Sequence, residues 1–297
     1  MSLSNVAKKQ EQINSVSGDY YAWAEDRQIK DYGISSSPSL AEFNGKLYLA
    51  HQGKNDNSEI WITSTADGVN WEMDKQISDY GITCSPSLAE FNGRLYLTHQ
   101  GKNGDGDIWW TSTSDGVNWA PDRPMGDFGI SSSPSLCTFN KSLYLAHQGK
   151  NDDGDIWLTR SLIITGNEII DILENTFNMP ENEIIAFNND DDYCMIDESQ
   201  AVAIWNDSGL SDYKYSDPKF DCDDFAFCMR GEASKWNYNR STTNLGVALG
   251  EAWGYKGEHK QHAYNFYITP DRSVALIEPQ SGKPISLDNF TTYMAIF

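Results

Sequence analysis

The sequence has few cysteines, few basic residues and no long apolar run. Its five cysteines are odd in number and scattered, which is not the pattern of a disulfide framework. Lysine and arginine total 22 against 43 aspartates and glutamates, giving a formal charge of −21. This charge disfavours nucleic acids and anionic membranes as partners, because both would repel the chain. No window approaches the roughly 18 apolar residues that suggest a membrane span.

The first 18 residues are polar and lack the apolar segment of a secretory signal. We therefore expect a leader at 1–18 and a cytoplasmic protein whose thiols stay reduced. A chain of 297 residues has room for two domains. The sequence changes character near residue 165, which predicts one domain at 19–165 and a second at 166–297.

Three copies of one pattern dominate the first domain. They begin at Asp31, Asp79 and Asp127, with a constant spacing (79 − 31 = 48; 127 − 79 = 48). Each copy continues through Ser-Pro-Ser-Leu, Phe-Asn, Leu-Tyr-Leu, His-Gln-Gly-Lys-Asn and Ile-Trp. A period of this length is typical of propellers, solenoids and other arrays.

Each copy is predicted to contain four short strands. In the first copy we expect them at 37–43, 46–52, 59–65 and 70–77, with a hairpin turn at Asn44-Gly45. Four short strands in one repeat of this length predict a blade of a β-propeller.

Two runs, 65–71 and 113–119, have the form Thr-x-Asp-Gly-x-x-Trp. They resemble the Asp-box of sialidase-type propellers, which makes the turn between the last two strands of a blade. The aspartate accepts backbone hydrogen bonds there, and glycine adopts a positive φ. The Asp-box is a folding device, so it predicts no catalysis. The third copy has Arg160-Ser161-Leu162 instead.

The strand count predicts an assembly of two chains. The segment that starts at Trp23 aligns with the one that starts at Trp71, so a fourth strand precedes the first copy and none follows the third. Three blades are too few for a ring, and a terminal strand can complete a last blade. We infer a homodimer with a six-bladed propeller, in which each N-terminal strand completes the partner's last blade. The alternative is a β-trefoil, which also has three four-stranded repeats and would leave this domain monomeric.

The repeated motif also predicts carbohydrate binding. It combines hydrogen-bonding side chains at a strand end with a nearby tryptophan, and sugars need both a planar ring and polar groups. The alternative is that these residues recur only because they pack the sheets. The general pattern resembles repeat lectins. The candidate carbohydrate-binding residues are His51, Gln52, Lys54, Asn55, Trp61, His99, Gln100, Lys102, Asn103, Trp109, His147, Gln148, Lys150, Asn151 and Trp157.

The second domain contains residues suited to thiol catalysis. Apolar residues on a helical period predict a helix at 168–177, whereas 201–205 fits a strand or a short helix. Cys222 starts another predicted helix, whose dipole would lower the pKa of a thiol. His262 and Glu278 lie on two strands joined by a turn at 269–272, so the two side chains can meet. A thiol, a histidine and a group that orients the histidine form the arrangement of cysteine proteases.

Three motifs carry a resemblance to a known family: Asp221-Cys222-Asp223-Asp224-Phe225-Ala226, His262-Ala263-x-Asn265 and Ile277-Glu278-Pro279-Gln280. They resemble the C-terminal domain of the Marasmius oreades agglutinin family, over residues 168–297. The resemblance implies an α+β, papain-like cysteine protease domain that depends on calcium and also mediates dimerisation. It implies Cys222 as nucleophile, His262 as base and Glu278 as the orienting acid. It suggests Asp221, Asp223 and Asp224 as calcium ligands.

The predicted fold is therefore multidomain: an all-β repeat domain followed by a papain-like α+β domain. The predicted function is a carbohydrate-binding lectin fused to a calcium-dependent cysteine endopeptidase, serving in defence, with glycans and peptides as partners. The first half does not resemble the family's ricin-type trefoil, so sugar specificity cannot be transferred. One alternative is a non-enzymatic lectin whose second domain only dimerises. A sialidase-like glycosidase is a further alternative, but the repeats lack the arginine cluster and the Tyr/Glu pair of that chemistry.

Overall fold

A computed structural model describes residues 27–29, 32–186, 192–240, 245–257 and 260–297. The predicted leader and the segment at Trp23 lie outside the described residues. The chain divides into two compact units, Met1–Gly33 and Ile34–Phe297, and the features below belong to the second. Across the described residues, no helix combines the length and apolar character that crossing a membrane requires.

The three repeats form three separate antiparallel sheets, each with its strands in chain order. The first sheet consists of β1 (Ser39–Phe43), β2 (Lys46–Gln52), β3 (Glu59–Thr65) and β4 (Lys75–Gly81). The second sheet consists of β5 (Ser87–Phe91), β6 (Arg94–Gln100), β7 (Asp107–Thr113) and β8 (Arg123–Gly129). The third sheet consists of β9 (Ser135–Phe139), β10 (Ser142–Gln148) and β11 (Ile156–Arg160). Within the described residues, the predicted lack of a fourth strand in the third copy is confirmed.

This strand order favours blades over a trefoil. A trefoil pairs strands from different repeats in a barrel, whereas each repeat here forms its own sheet. The first strands of successive sheets, β1, β5 and β9, pack against one another. The Leu88 N–H donates to Ser39 Oγ, and the Leu136 N–H donates to Ser87 Oγ, both at 2.9 Å. The junction between neighbouring sheets is therefore built twice with the same contacts.

The fourth strand starts later than predicted, at Lys75 and not at residue 70. The reason is the Asp-box turn. Asp67 Oδ1 accepts the N–H groups of Val69 at 2.9 Å and Asn70 at 2.7 Å, and Gly68 has a φ of +71°. These bonds hold residues 66–70 in a turn, so that the chain re-enters the sheet only after it. The second copy repeats this arrangement at Asp115.

The C-terminal half combines helices with two further sheets. Its helices are α1 (Gly166–Phe177), α2 (Glu198–Asp207) and α3 (Cys222–Arg240). A small sheet contains β12 (Ile163–Thr165), β14 (Asp192–Cys194) and β15 (Gly246–Val247). A six-stranded sheet contains β13 (Ile184–Ile185), β16 (Leu249–Lys256), β17 (Lys260–Ile268), β18 (Val274–Glu278), β19 (Lys283–Ile285) and β20 (Phe290–Ile296), in the order β13-β20-β16-β17-β18-β19.

Capping residues explain where the first two helices begin. Thr165 and Glu168 form a capping box that starts α1, so the helix predicted at 168–177 is confirmed with one extra half-turn. Asp197 and Gln200 form the same motif at α2. This cap resolves the segment 201–205 as helix, although its apolar residues also suited a strand.

The two halves of the unit are in direct contact. Arg160 Nη2 donates to the carbonyl of Pro270 at 2.8 Å. Arg272 lies in the turn between β17 and β18, where it binds the carbonyls of Lys141 and Ile163. Ile163 also joins an apolar cluster with side chains of the second and third sheets.

Candidate functional site

Helix α3 places Cys222 next to the six-stranded sheet. Cys222 is the first residue of the helix, and the Asp221 N–H donates to Asp224 Oδ2 at 3.0 Å. One turn later, the Ala226 carbonyl accepts a 3.0 Å bond from the buried amide of Asn265 on β17. Because this bond joins the first turns of α3 to β17, the motif around Cys222 lies over the strand that carries His262.

His262 and Glu278 meet as the sequence predicts. His262 Nε2 lies 2.7 Å from Glu278 Oε2, and both side chains are largely buried. The turn after Glu278 is held by Trp205, whose indole N–H donates to the Pro279 carbonyl at 2.7 Å. A Cβ on Gly282 in that turn would lie 2.4 Å from the same indole, so only glycine fits.

The environment keeps Glu278 ionised. Burial by itself raises the pKa of its carboxyl, but the hydrogen bond and charge of His262 lower it, helped by the N–H of Gln280. The net effect is a pKa below the ordinary value for glutamate. An ionised Glu278 accepts a hydrogen bond from the Nε2–H group of His262, so Nδ1 does not share this partner.

The thiol of Cys222 lies among carboxylates. Its sulfur and one oxygen each of Asp221 and Asp223 all lie within 4.8 Å of one another. Among the described residues, no hydrogen bond joins Cys222 to His262. Catalytic hydrogen bonds are often long in the absence of substrate and tighten only when it binds.

A buried carboxylate close enough to interact with Asp223 is one that the sequence did not indicate. Glu251, on β16, is fully buried, and burial raises its pKa to about 7 despite Arg230 at 3.5 Å. The pKa of Asp223 is raised by a hydrogen bond to Asp221 and by burial. Asp221 Oδ1 and Glu251 Oε2 are buried without a hydrogen-bond partner. Since four consecutive residues of β16 are buried, Glu251 among them, no local sequence pattern marks this glutamate and only the tertiary structure could identify it.

Carboxylate oxygens this close together repel one another, whereas a hard cation would bind them favourably. Calcium binds carboxylate oxygens, and Asp221 and Asp223 offer them with at least one buried atom that lacks a partner. Asp224, the third predicted ligand, already accepts a backbone N–H of the helix start. Of the acidic residues 190–192, only Asp192 lies in the described part of the chain, and it is 3.6 Å from Arg94.

The structure divides the predicted carbohydrate-binding residues into buried and accessible groups. His51, Gln52, His99, Gln100 and His147 are buried. His51 Nε2 lies 3.1 Å from Asp74 and His99 Nε2 lies 3.2 Å from Asp122. In the first two sheets these contacts connect the second strand to the segment before the fourth. Among these residues the sheet-packing alternative therefore has direct structural support.

The accessible group lies on the loop between the second and third strands of each sheet. The tryptophans are tied to this loop through acidic residues that the sequence did not suggest. The indole N–H groups of Trp61, Trp109 and Trp157 donate to Glu59, Asp105 and Asp153 at 3.2, 3.3 and 3.1 Å. Lys54, Asn55, Lys102, Lys150 and Asn151 are exposed, Gln148 is half-buried, and the side chain of Asn103 lies outside the described part.

One family of known proteins matches the C-terminal half of the chain. Residues 193–284 match the family described as Agglutinin C-terminal. Comparison with curated protein sequences gives no match.

Among solved structures, the chain is similar to a Polyporus squamosus lectin bound to a human-type influenza-binding epitope (17% identity, TM-score 0.47, covering 90% of this chain and 100% of that one). It is also similar to a Bacteroides ovatus GH43B protein from a xyloglucan utilisation locus (16%, TM-score 0.34, covering 44% of this chain and 28% of that one). A Bombyx mori GH32 β-fructofuranosidase is a further match (20%, TM-score 0.33, covering 44% and 33%). TM-scores this low do not establish a common fold, so the fold rests on the sheet topology.

The family match spans Cys222, His262 and Glu278, the three residues on which the sequence-based resemblance depends. The resemblance is thereby confirmed over residues 193–284, which match the agglutinin C-terminal family.

Proposed function

We propose that this protein is a lectin fused to a calcium-dependent cysteine endopeptidase of papain-like type. The observation that carries the proposal is the buried 2.7 Å contact between His262 and Glu278, next to a helix that begins at Cys222. A histidine held in one orientation by an ionised carboxylate has little structural use in a hairpin, but it is the base that a thiol nucleophile requires.

Each of the three residues has a distinct role. His262 Nδ1 accepts the proton of the Cys222 thiol, and the thiolate attacks the carbonyl carbon of the peptide bond. His262 then donates that proton to the departing amine, and a water molecule hydrolyses the thioester. Glu278 accepts a hydrogen bond from Nε2–H throughout, which fixes the tautomer and stabilises the charged imidazole.

Calcium would be held by Asp221 and Asp223, and the charge of Asp223 helps to raise the pKa of the nearby Glu251. Bound calcium supplies positive charge that relieves the repulsion among these carboxylates. The chain's own contribution is to fix Asp221, Cys222 and Asp223 at the start of α3, so that ordering the carboxylates also orders the thiol.

Carbohydrate binding belongs to the repeat domain. The exposed loop residues Lys54 and Asn55, beside Trp61, offer polar groups next to an aromatic ring, and the second and third copies repeat this set. Defence against organisms that ingest the cell would explain the combination of a glycan-binding half with a proteolytic half, in a cytoplasmic homodimer.

The test is a single substitution with a matched control. Cys222→Ala should abolish cleavage of a peptide library in calcium while leaving binding to a glycan array unchanged. Cys228→Ala, an exposed cysteine on the same helix, should retain cleavage. If Cys222→Ala still cleaves peptides, the nucleophile is wrong. If the wild-type protein never cleaves but does bind glycans, the alternative of a non-enzymatic lectin replaces the proposal.

A further inference from the structure

The repeats provide an internal standard for burial, since the same position occurs in three sheets. Phe43 and Phe91 are 2% and 1% exposed, whereas the equivalent Phe139 of the third sheet is 67% exposed. Ile60 and Ile108 are fully buried, whereas Ile156 is 87% exposed. The third sheet thus leaves open a face that the first and second sheets bury.

The first sheet leaves the opposite side of the same junction open. Leu88 is 4% exposed, but its equivalent Leu40 in β1 is 55% exposed. Ile82 and Ile130 lead into the second and third copies and are buried, whereas Ile34, which leads into the first copy, is 48% exposed. The open faces of the third and first sheets are therefore the two surfaces that, in the other sheets, pack together where one sheet follows the next.

We propose that a second copy of this chain covers both faces, so that the third sheet of each chain packs on the first sheet of the other. A second copy is the partner whose surface matches, because the required complement of each open face is present on the chain itself. Two such junctions close a two-fold ring of six sheets. The inference rests on the repeats and is independent of the proposed lectin and protease activities.

The contacts between neighbouring sheets within one chain predict the contacts between the third sheet of one chain and the first sheet of the other. The Leu136 N–H donates to Ser87 Oγ across the second junction, so the Leu40 N–H should donate to Ser135 Oγ of the second copy. Lys150 Nζ lies 2.9 Å from Asp107 Oδ1 of the preceding sheet. At the proposed junction the equivalent of Asp107 is Asp155, which lies 48 residues later. The equivalent of Lys150 is Lys54, in the first sheet of the second copy. Both of these residues are exposed in the single chain.

The third sheet also has space for a strand from the second copy. Beside β11 lies an open groove lined by His147, Trp157 and Leu158, among others. In the first two sheets the fourth strand occupies this position, and an aspartate just before it binds the histidine. The residue 48 positions after Asp122 is Ile170, whereas Asp26 lies 48 positions before Asp74. The sequence counterpart of Asp74 and Asp122 for the third sheet is therefore Asp26, which lies outside the described residues.

A charge-reversal experiment on the full chain tests the proposal. The wild-type protein should have twice the 33.4 kDa chain mass by light scattering. Hydrogen exchange should be as slow at Leu40 and β11 as at their equivalents Leu88 and β7. Lys54→Glu or Asp155→Lys should each accelerate exchange at Leu40 and β11 by about tenfold or more, and the double variant should restore protection. Met73→Glu, an exposed apolar residue of the first copy, is the control and should change nothing.

Three outcomes would overturn the proposal. A wild-type monomer would do so directly. A dimer with fast exchange at Leu40 and β11 would show that the second copy binds elsewhere, for example through the C-terminal domain. Unchanged protection in both single variants, or a double variant no better than either, would reject the Lys54–Asp155 pair and with it the register of the junction.

Discussion

At the scale of single residues, the most informative contact is the one between His262 and Glu278. The carboxylate accepts from Nε2, so it decides which imidazole nitrogen is available to a thiol. An amide in its place can still form a hydrogen bond, but it provides no charge to stabilise the imidazolium.

Glu278→Gln should therefore lower kcat/KM for peptide cleavage by about 10²-fold or more with little change in folding. Steady-state kinetics and circular dichroism measure the two effects. Glu198→Gln, on the exposed start of α2, is the control and should leave kcat/KM unchanged. Full activity in the Glu278→Gln variant would remove Glu278 from the mechanism.

Asp67 and Asp115 are the residues that shape the repeat turns. Backbone N–H groups hold the pKa of both carboxyls far below the ordinary value of 3.8, with Asn70 and Asn118 contributing most. A folded-state pKa below the unfolded value stabilises the fold above that unfolded value. The contribution is lost as the pH falls through the folded-state pKa.

Asp67→Asn should accordingly lower the melting temperature by a few degrees at neutral pH. The difference from wild type should shrink as the pH falls below 3.8. Calorimetry at neutral pH and at about pH 3 checks this. Asp212→Asn, an exposed acid outside the repeats, should show no such difference. If the difference in melting temperature between the wild type and Asp67→Asn stays constant with pH, the charge of the carboxylate is not what stabilises the turn.

At the scale of elements, Arg272 connects the C-terminal hairpin to the repeats. Its guanidinium binds Glu168 at 3.0 Å on α1 as well as the carbonyls of Lys141 and Ile163. The planar guanidinium holds its donors in a fixed fork that reaches all three acceptors, whereas the ammonium of a lysine has three donors but lacks this fork.

Arg272→Lys keeps the positive charge but removes the planar guanidinium group and its fixed set of hydrogen bonds. It should therefore lower the free energy of unfolding by about 1–2 kcal/mol. Thermal unfolding should also separate into two transitions if the two halves lose their coupling. Arg123→Lys, on β8, is the matched control. A single, unshifted transition in the Arg272→Lys variant would show that the halves are held together by apolar contacts alone.

At the scale of the whole molecule, the proposed calcium dependence links the acidic cluster to stability. A ligand that binds only the folded state stabilises it by about 2.7 kcal/mol at a hundredfold excess over its Kd. Millimolar calcium should raise the melting temperature and increase cleavage, and a chelator should reverse both. Asp221→Asn with Asp223→Asn should abolish the shift, whereas magnesium should produce less. No shift in calcium would contradict the proposal.

Much of this architecture was predictable from periodicity. The copies at Asp31, Asp79 and Asp127 determined the number of sheets, and the missing counterpart of Asp67 in the third copy indicated a shorter third sheet. The match of residues 193–284 confirms a resemblance that rested on three short motifs. Boundaries were less predictable, because the Asp-box turn delays the fourth strand to Lys75.

By itself, the sequence determined what local chemistry and repetition control: the number of repeats, the hairpins, the capped helices and the three motifs of the C-terminal domain. Only the tertiary structure decided which polar side chains are buried. His51 and Glu251 lie in strands with consecutive buried residues, so both faces of each strand are covered and no alternation in the sequence marks these two side chains as buried. Burial depends on what covers a surface. The same pattern gives a buried Ile108 and an exposed Ile156, because Ile108 packs against residues of the following sheet whereas Ile156 belongs to the last one.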